Sequence, residues 1–232
     1  MQHVLGTFLL LLQEAGDDGG VVNFLVQKFN EGGGFMWPIL ISLVLGLAFV
    51  IFKFISLGRA SVNTKKFLVD VKKALDEGGV DKAIDVCSKN SGSIASVFQA
   101  GLMRADEGIE AAEKAVISYG SIEMSFLERG MIWISTFISI APLLGFAGTV
   151  AGMIQAFDSI AAAKNISPEI VASGISVALL TTLFGLIVAM ILQVLYNYFI
   201  ARIDKLVVDM EESSIELIDS LVLLERGKKV NN

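Results

Sequence analysis

Two threonines stand where few polar groups are found. Thr149 and Thr182 each lie near the middle of a long stretch without a charged side chain, the first bounded by Arg129 and Asp158, the second by Glu169 and Arg202. A hydroxyl both donates and accepts hydrogen bonds, so two of them at mid-depth of apolar helices can hold water. A threonine hydroxyl also bonds back readily to its own helix, which satisfies it without any further role. Around them, Ser135, Ser139, Pro142, Gly145, Thr149 and Gly152 recur at three- and four-residue spacing, as do Gly174, Ala178, Thr182, Gly185, Ala189 and Gln193. Each set therefore lines one helix face. Small residues let helix backbones approach in hydrocarbon, and Gly148 with Gly152 forms a GxxxG pair, so close packing and a pore compete to explain these faces. Pro142, lacking an N–H, is expected to kink its helix and free a carbonyl near Ile138.

What is absent narrows the chemistry further. A membrane proton path usually includes a titratable group, and neither stretch contains Asp, Glu, His, Lys or Arg. If protons cross here, the exchanging carboxylate must come from a partner helix. One cysteine, Cys87, and one histidine, His3, allow no internal disulfide and suggest no metal centre, and the sequence calls for no cofactor. No GxGxxG or GxxxxGK[ST] loop occurs, and no basic stretch interleaved with aromatics, so neither nucleotide nor nucleic acid is an expected partner. No nucleophile and base or acidic dyad can be assembled, which argues against an enzyme.

The elements that must position these residues follow from composition. Of 232 residues, 54% are hydrophobic and 18% charged, with a net charge of −6; the mean hydropathy is +0.68. An ordinary soluble domain is about 45–50% apolar and about 25% charged, so the class is an all-α integral membrane protein. Three stretches are long enough to span about 30 Å of hydrocarbon: residues 35–57, 130–157 and 170–201. Lys53, the one charge in the first, is expected to reach the headgroups on its long stem. Residues 1–34 precede the first span. Their apolar run at 4–12 is too short to cross; it reads as a short interfacial or periplasmic helix, with a cleaved signal peptide as the alternative. The glycines at 16–20 and 32–34 read as joints.

Lys and Arg cluster after the first and third spans, so the positive-inside rule predicts a periplasmic N-terminus, a cytoplasmic region at 58–129, a periplasmic connection at 158–169 and a cytoplasmic tail at 202–232. The 58–129 region is helical in pattern, with a stop at Glu77-Gly78-Gly79 and a longer helix, 109–127, feeding the second span. Ser167-Pro168-Glu169 is a helix-start signal for the third. The tail carries Ile203, Leu206, Met210, Leu217, Leu221 and Leu224 at helical spacing, a stripe expected to extend the third span and to pack against a neighbouring subunit.

The run Ile140-Ala-Pro-Leu-Leu-Gly-Phe-Ala-Gly-Thr-Val-Ala-Gly-Met-Ile154, then Gly174-Ile-Ser-Val-Ala-Leu-Leu-Thr-Thr-Leu-Phe-Gly-Leu186, then Tyr196-Asn197 closely resembles the signature of the MotA/TolQ/ExbB proton-channel family, nearest its ExbB and TolQ branch. The resemblance implies a subunit of a bacterial inner-membrane stator: a homo-oligomer, five copies in such complexes, around the helices of an ExbD-like single-span partner. That partner's membrane aspartate exchanges the proton, and the movement passes to a TonB-like protein that energises outer-membrane transport. A TolQ-like role in envelope maintenance, or a stator of another motor, carries the same motif, and a non-conducting scaffold is the alternative of another class. By resemblance, Thr149 and Thr182 are pore-facing threonines, with Thr181, Ser176 and Ser139 as further pore-lining hydroxyls. Pro142, Gly145, Gly148, Gly152, Gly174 and Gly185 then serve kink and packing. One position departs from the family, which commonly has a glutamate where this chain has Val177. Either that acid is dispensable, with Ser176 or Thr181 keeping the pore wet, or the chain belongs to a divergent branch.

Overall fold

The computed structural model describes residues 20–60, 64–90, 92–163 and 168–230, and every regular element among them is helical. In chain order these are α1 (Gly20–Glu31), α2 (Met36–Ala60), α3 (Thr64–Ser88), α4 (Ser93–Leu102), a 3₁₀ turn (Ala105–Glu107), α5 (Ile109–Glu128), α6 (Met131–Ala163) and α7 (Pro168–Val230). The apolar run at 4–12 and the capping Ser167 lie outside the described residues. Three segments are long and apolar enough to cross a membrane: Met36–Gly58, a stretch within Ile109–Ala162, and a stretch within Val171–Arg226. In their most apolar windows only 28%, 22% and 28% of residues are buried within the chain. Most of that surface is therefore left for lipid or for other chains.

The described residues form two compact units, 20–48 with 133–194, and 49–132 with 195–230. In the first, α6 and α7 pack as antiparallel partners. Gly185 sits against the carbonyl of Ala141, Gly145 and Gly148 against Thr181, and Gly152 against Ala178 and Gly174. The helix α2 joins through Gly46, where an added methyl group would stand 2.6 Å from Leu192. Between α1 and α2 the chain turns at Gly33, whose φ of +73° suits a residue without Cβ, and the Met36 N–H donates to the Gly33 carbonyl at 3.2 Å.

The second unit has a conventional hydrophobic core. Phe67, Val71 and Leu75 of α3, Val97, Phe98 and Leu102 of α4, Ala112 and Val116 of α5, and Met210, Leu217 and Leu221 of α7 are all buried in one cluster. The rings of Phe67 and Phe98 lie 5.6 Å apart. At its surface Lys72 pairs with Glu216 at 2.6 Å, tying α3 to α7. The helix α3 is interrupted at Gly79 (φ 72°, ψ −162°), the last residue of the expected Glu77-Gly78-Gly79 stop.

Three expectations change here. The tail stripe at Met210, Leu217 and Leu221 packs inside its own chain: α3, α4 and α5 alone cannot close a core, and α7 supplies the missing side. The helix before the second span does not run into it, because Arg129 and the left-handed Gly130 (φ +90°) separate α5 from α6. Lys53 does not reach out of the apolar region either. It is 1% exposed, and its ammonium donates to the carbonyl of Leu127 and, at 3.1 Å, to that of Arg129.

Candidate functional site

The α6–α7 contact holds Thr181 and Thr182 between two glycine-lined helices. Its closeness follows from the glycines: a methyl group at Gly145 would stand 2.8 Å from the Thr181 carbonyl oxygen, one at Gly148 2.6 Å from the Thr181 hydroxyl, and one at Gly185 2.6 Å from the Ala141 carbonyl oxygen. Gly152 and Gly174 meet across the same seam, Gly174 also touching Ala156. Distances below about 3 Å cannot accommodate a side chain, so these positions hold the two backbones in contact. Pro142 lies within α6, which continues through it as one helix.

The hydroxyls divide into three settings. Thr182 reaches across the seam, donating to the Gly145 carbonyl at 3.4 Å. Thr149, one turn further along α6, donates to the Phe146 carbonyl of its own helix. Both are half-buried, keeping part of their surface for whatever adjoins the chain. Ser139 is exposed and donates to the Ser135 carbonyl at 3.1 Å, while Ser176 is exposed on α7. Thr181 behaves otherwise. Expected among the pore-lining hydroxyls, it is wholly enclosed in this chain, donating to the Ala178 carbonyl at 2.9 Å. The missing side chain at Gly148 makes its niche, so Thr181 is a packing residue of the seam. Val177 is half-buried, its side chain 3.7 Å from where a Gly33 Cβ would be.

Two charged residues have settings that the residue pattern did not reveal. Lys53 was legible as the one charge in an apolar span, but not its partners. It neutralises the carbonyl-rich C-terminal end of α5 where the chain breaks before α6. Asp158 was legible only as the end of an uncharged stretch, yet it lies inside α6, on the face that carries Gly148 and Gln155. Among the described residues no group of three or more His, Cys, Asp or Glu is arranged to hold a metal ion.

An all-helical chain with three membrane-crossing segments, two of them locked together by glycine and lined by hydroxyls, is a multi-pass membrane protein. Residues 89–212 match the profile of the MotA/TolQ/ExbB proton channel family. A biopolymer transport protein ExbB homolog of Methanothermobacter thermautotrophicus is 31% identical over 205 residues, covering 87% of this chain and 71% of that protein. Over shorter stretches the chain is 37% identical to biopolymer transport protein ExbB of Salmonella typhimurium, covering 34% of this chain and 33% of that one. It is 33% identical to Tol-Pal system protein TolQ of Haemophilus influenzae over 36% of this chain and 37% of that one. The chain belongs to the MotA/TolQ/ExbB proton channel family. That is a family of transport stators, not of enzymes, and its likeness here is nearest to ExbB.

Proposed function

We propose that this chain is an ExbB-like stator subunit that, with an ExbD-like single-span partner, uses the proton motive force to energise a TonB-like transducer. In this reading the N-terminus and the 158–169 connection are periplasmic and the unit around α3–α5 is cytoplasmic. Several copies, five by resemblance, enclose the partner's helices. The observation that carries it is the α6–α7 seam: half-buried Thr149 and Thr182, no ionisable side chain between Arg129 and Asp158 or between Glu169 and Arg202, and a backbone carbonyl already engaged by Thr182. Such a wall can hold water without holding a proton. The titrating carboxylate then belongs to the partner, and the wall supplies hydroxyls with retained exposure.

A TolQ-like role in envelope maintenance is favoured by relatives of that name at similar identity; the two readings share the wall and differ in the partner downstream. Co-expression with the single-span partner, followed by proton flux in proteoliposomes and transport in cells, tests the proposal. Thr149→Val and Thr182→Val complexes are expected to assemble and to lose most of the flux. Full activity of both valine variants in an intact complex would overturn the pore-wall role, and substantial current from this chain alone would overturn the partner-carboxylate argument.

A further inference from the structure

A cleft of about 410 Å³ runs along α6 in the unit that holds the seam, between α6, α7 and the glycine turn that precedes α2. Gly148, Gly152, Gln155 and Asp158 of α6 line it with Val177 and Thr181 of α7. Those α6 positions fall on one face at three- and four-residue spacing, so the cleft follows the helix for about 15 Å. Its two ends differ. Asp158 and Gln155 are exposed, whereas Gly148 and Thr181 are buried, which puts a carboxylate and an amide at the mouth and, at the floor, Gly148 and Thr181, the chain neighbours of Thr149 and Thr182. The volume is far above the ~10–15 Å³ that one water requires.

Among the described residues lining this cleft, Asp158 is the sole ionisable group. The glycine turn and the facing stretch of α7 bring none. The nearest charges before the turn, Lys28 and Glu31, pair with each other at 2.6 Å, and Glu169 lies in the first turn of α7, outside the lining. A carboxylate at the mouth of a low-dielectric cleft raises the local concentration of cations there. We propose that Asp158 is the proton-collecting residue of a water-filled vestibule that feeds the wall at Thr149 and Thr182. A hydronium ion at the mouth gives its proton to the Asp158 carboxylate and departs as water. The carboxylic acid passes the proton to a water deeper in the cleft and returns to its anion. The acceptor at the far end is the partner's carboxylate, so this inference rests on the stator reading above.

The test measures proton flux in proteoliposomes holding the complete complex. Asp158→Asn is expected to lower flux about ten-fold with assembly intact, and Asp158→Glu to restore it, because a carboxylate that attracts and exchanges the proton, and not its exact length, is what the mouth supplies. Wild-type flux in Asp158→Asn, alongside impaired Thr149→Val, would overturn the vestibule and leave the stator reading standing. No flux from the wild-type complex would overturn both. A chemical-rescue arm separates collection from folding: an assembled Asp158→Cys complex is treated with a carboxylate-bearing or an ammonium-bearing methanethiosulfonate. The native thiol does not compete, since Cys87 is buried and burial pushes its pKa up to about 12. Recovery with the carboxylate alone supports the proposal, and an equal response to both reagents overturns it.

Discussion

At the scale of single residues, Lys53 shows how a charge survives in an apolar segment. Its ammonium has exchanged water for two backbone carbonyls at the C-terminal end of α5, the negative end of that helix's dipole. Lys53→Met would keep much of the volume and strand both acceptors. A loss of about 1–3 kcal/mol is expected, read as a lower unfolding midpoint in detergent. Cys87 gives a pH dependence with a definite sign. Desolvation raises its thiol from 9.0 to about 12 in the folded chain. The unfolded thiol ionises first, so the folded state binds more protons above pH 9, and this contribution to stability falls as pH rises from 9 toward 12. Thermal unfolding of wild type and Cys87→Ala across that window is expected to diverge, wild type weakening more steeply.

At the scale of elements, the seam between α6 and α7 depends on absent side chains. Gly148 leaves a niche that Thr181 fills, and the hydroxyl there would meet any Cβ at 2.6 Å. Gly148→Leu is therefore expected to force the helices apart at a cost of about 1–3 kcal/mol or more, seen as reduced recovery of folded protein. Gly148→Ala with Thr181→Gly, which removes the Thr181 Cβ at 2.6 Å as well as the hydroxyl, is expected to recover part of the loss seen with Gly148→Ala alone. The faces themselves were legible in the periodicity of residues 135–152 and 174–193. Which hydroxyl faced outward was not, since Thr181 and Thr182 are adjacent and only helix rotation decides between them. Rotation is fixed by the partner helix: Gly145 and Gly148 admit Thr181, and the next residue, about 100° around, keeps Thr182 at the edge.

At the scale of the whole molecule, the sparse burial of the three spans leaves surface for lipid and for further copies of the chain to cover. Native mass spectrometry in detergent is expected to give multiples of 24.9 kDa, five by resemblance, and a monomeric mass at all concentrations would count against the proposed assembly. By itself the sequence determined the membrane class, the helical fold, the family and the emptiness of two spans, because apolar length, periodicity and missing charge are properties of a chain read in order. The break at Gly79 was equally legible, its two adjacent glycines being local punctuation. Tertiary structure alone decided that the tail stripe closes its own chain's core, that Lys53 turns inward to the end of α5, and that Asp158 shares a cleft with Val177 and Thr181. Each of those depends on groups distant in sequence meeting in space, and whether an apolar stripe is covered by its own chain or by another depends on where the other helices run, which no local pattern encodes.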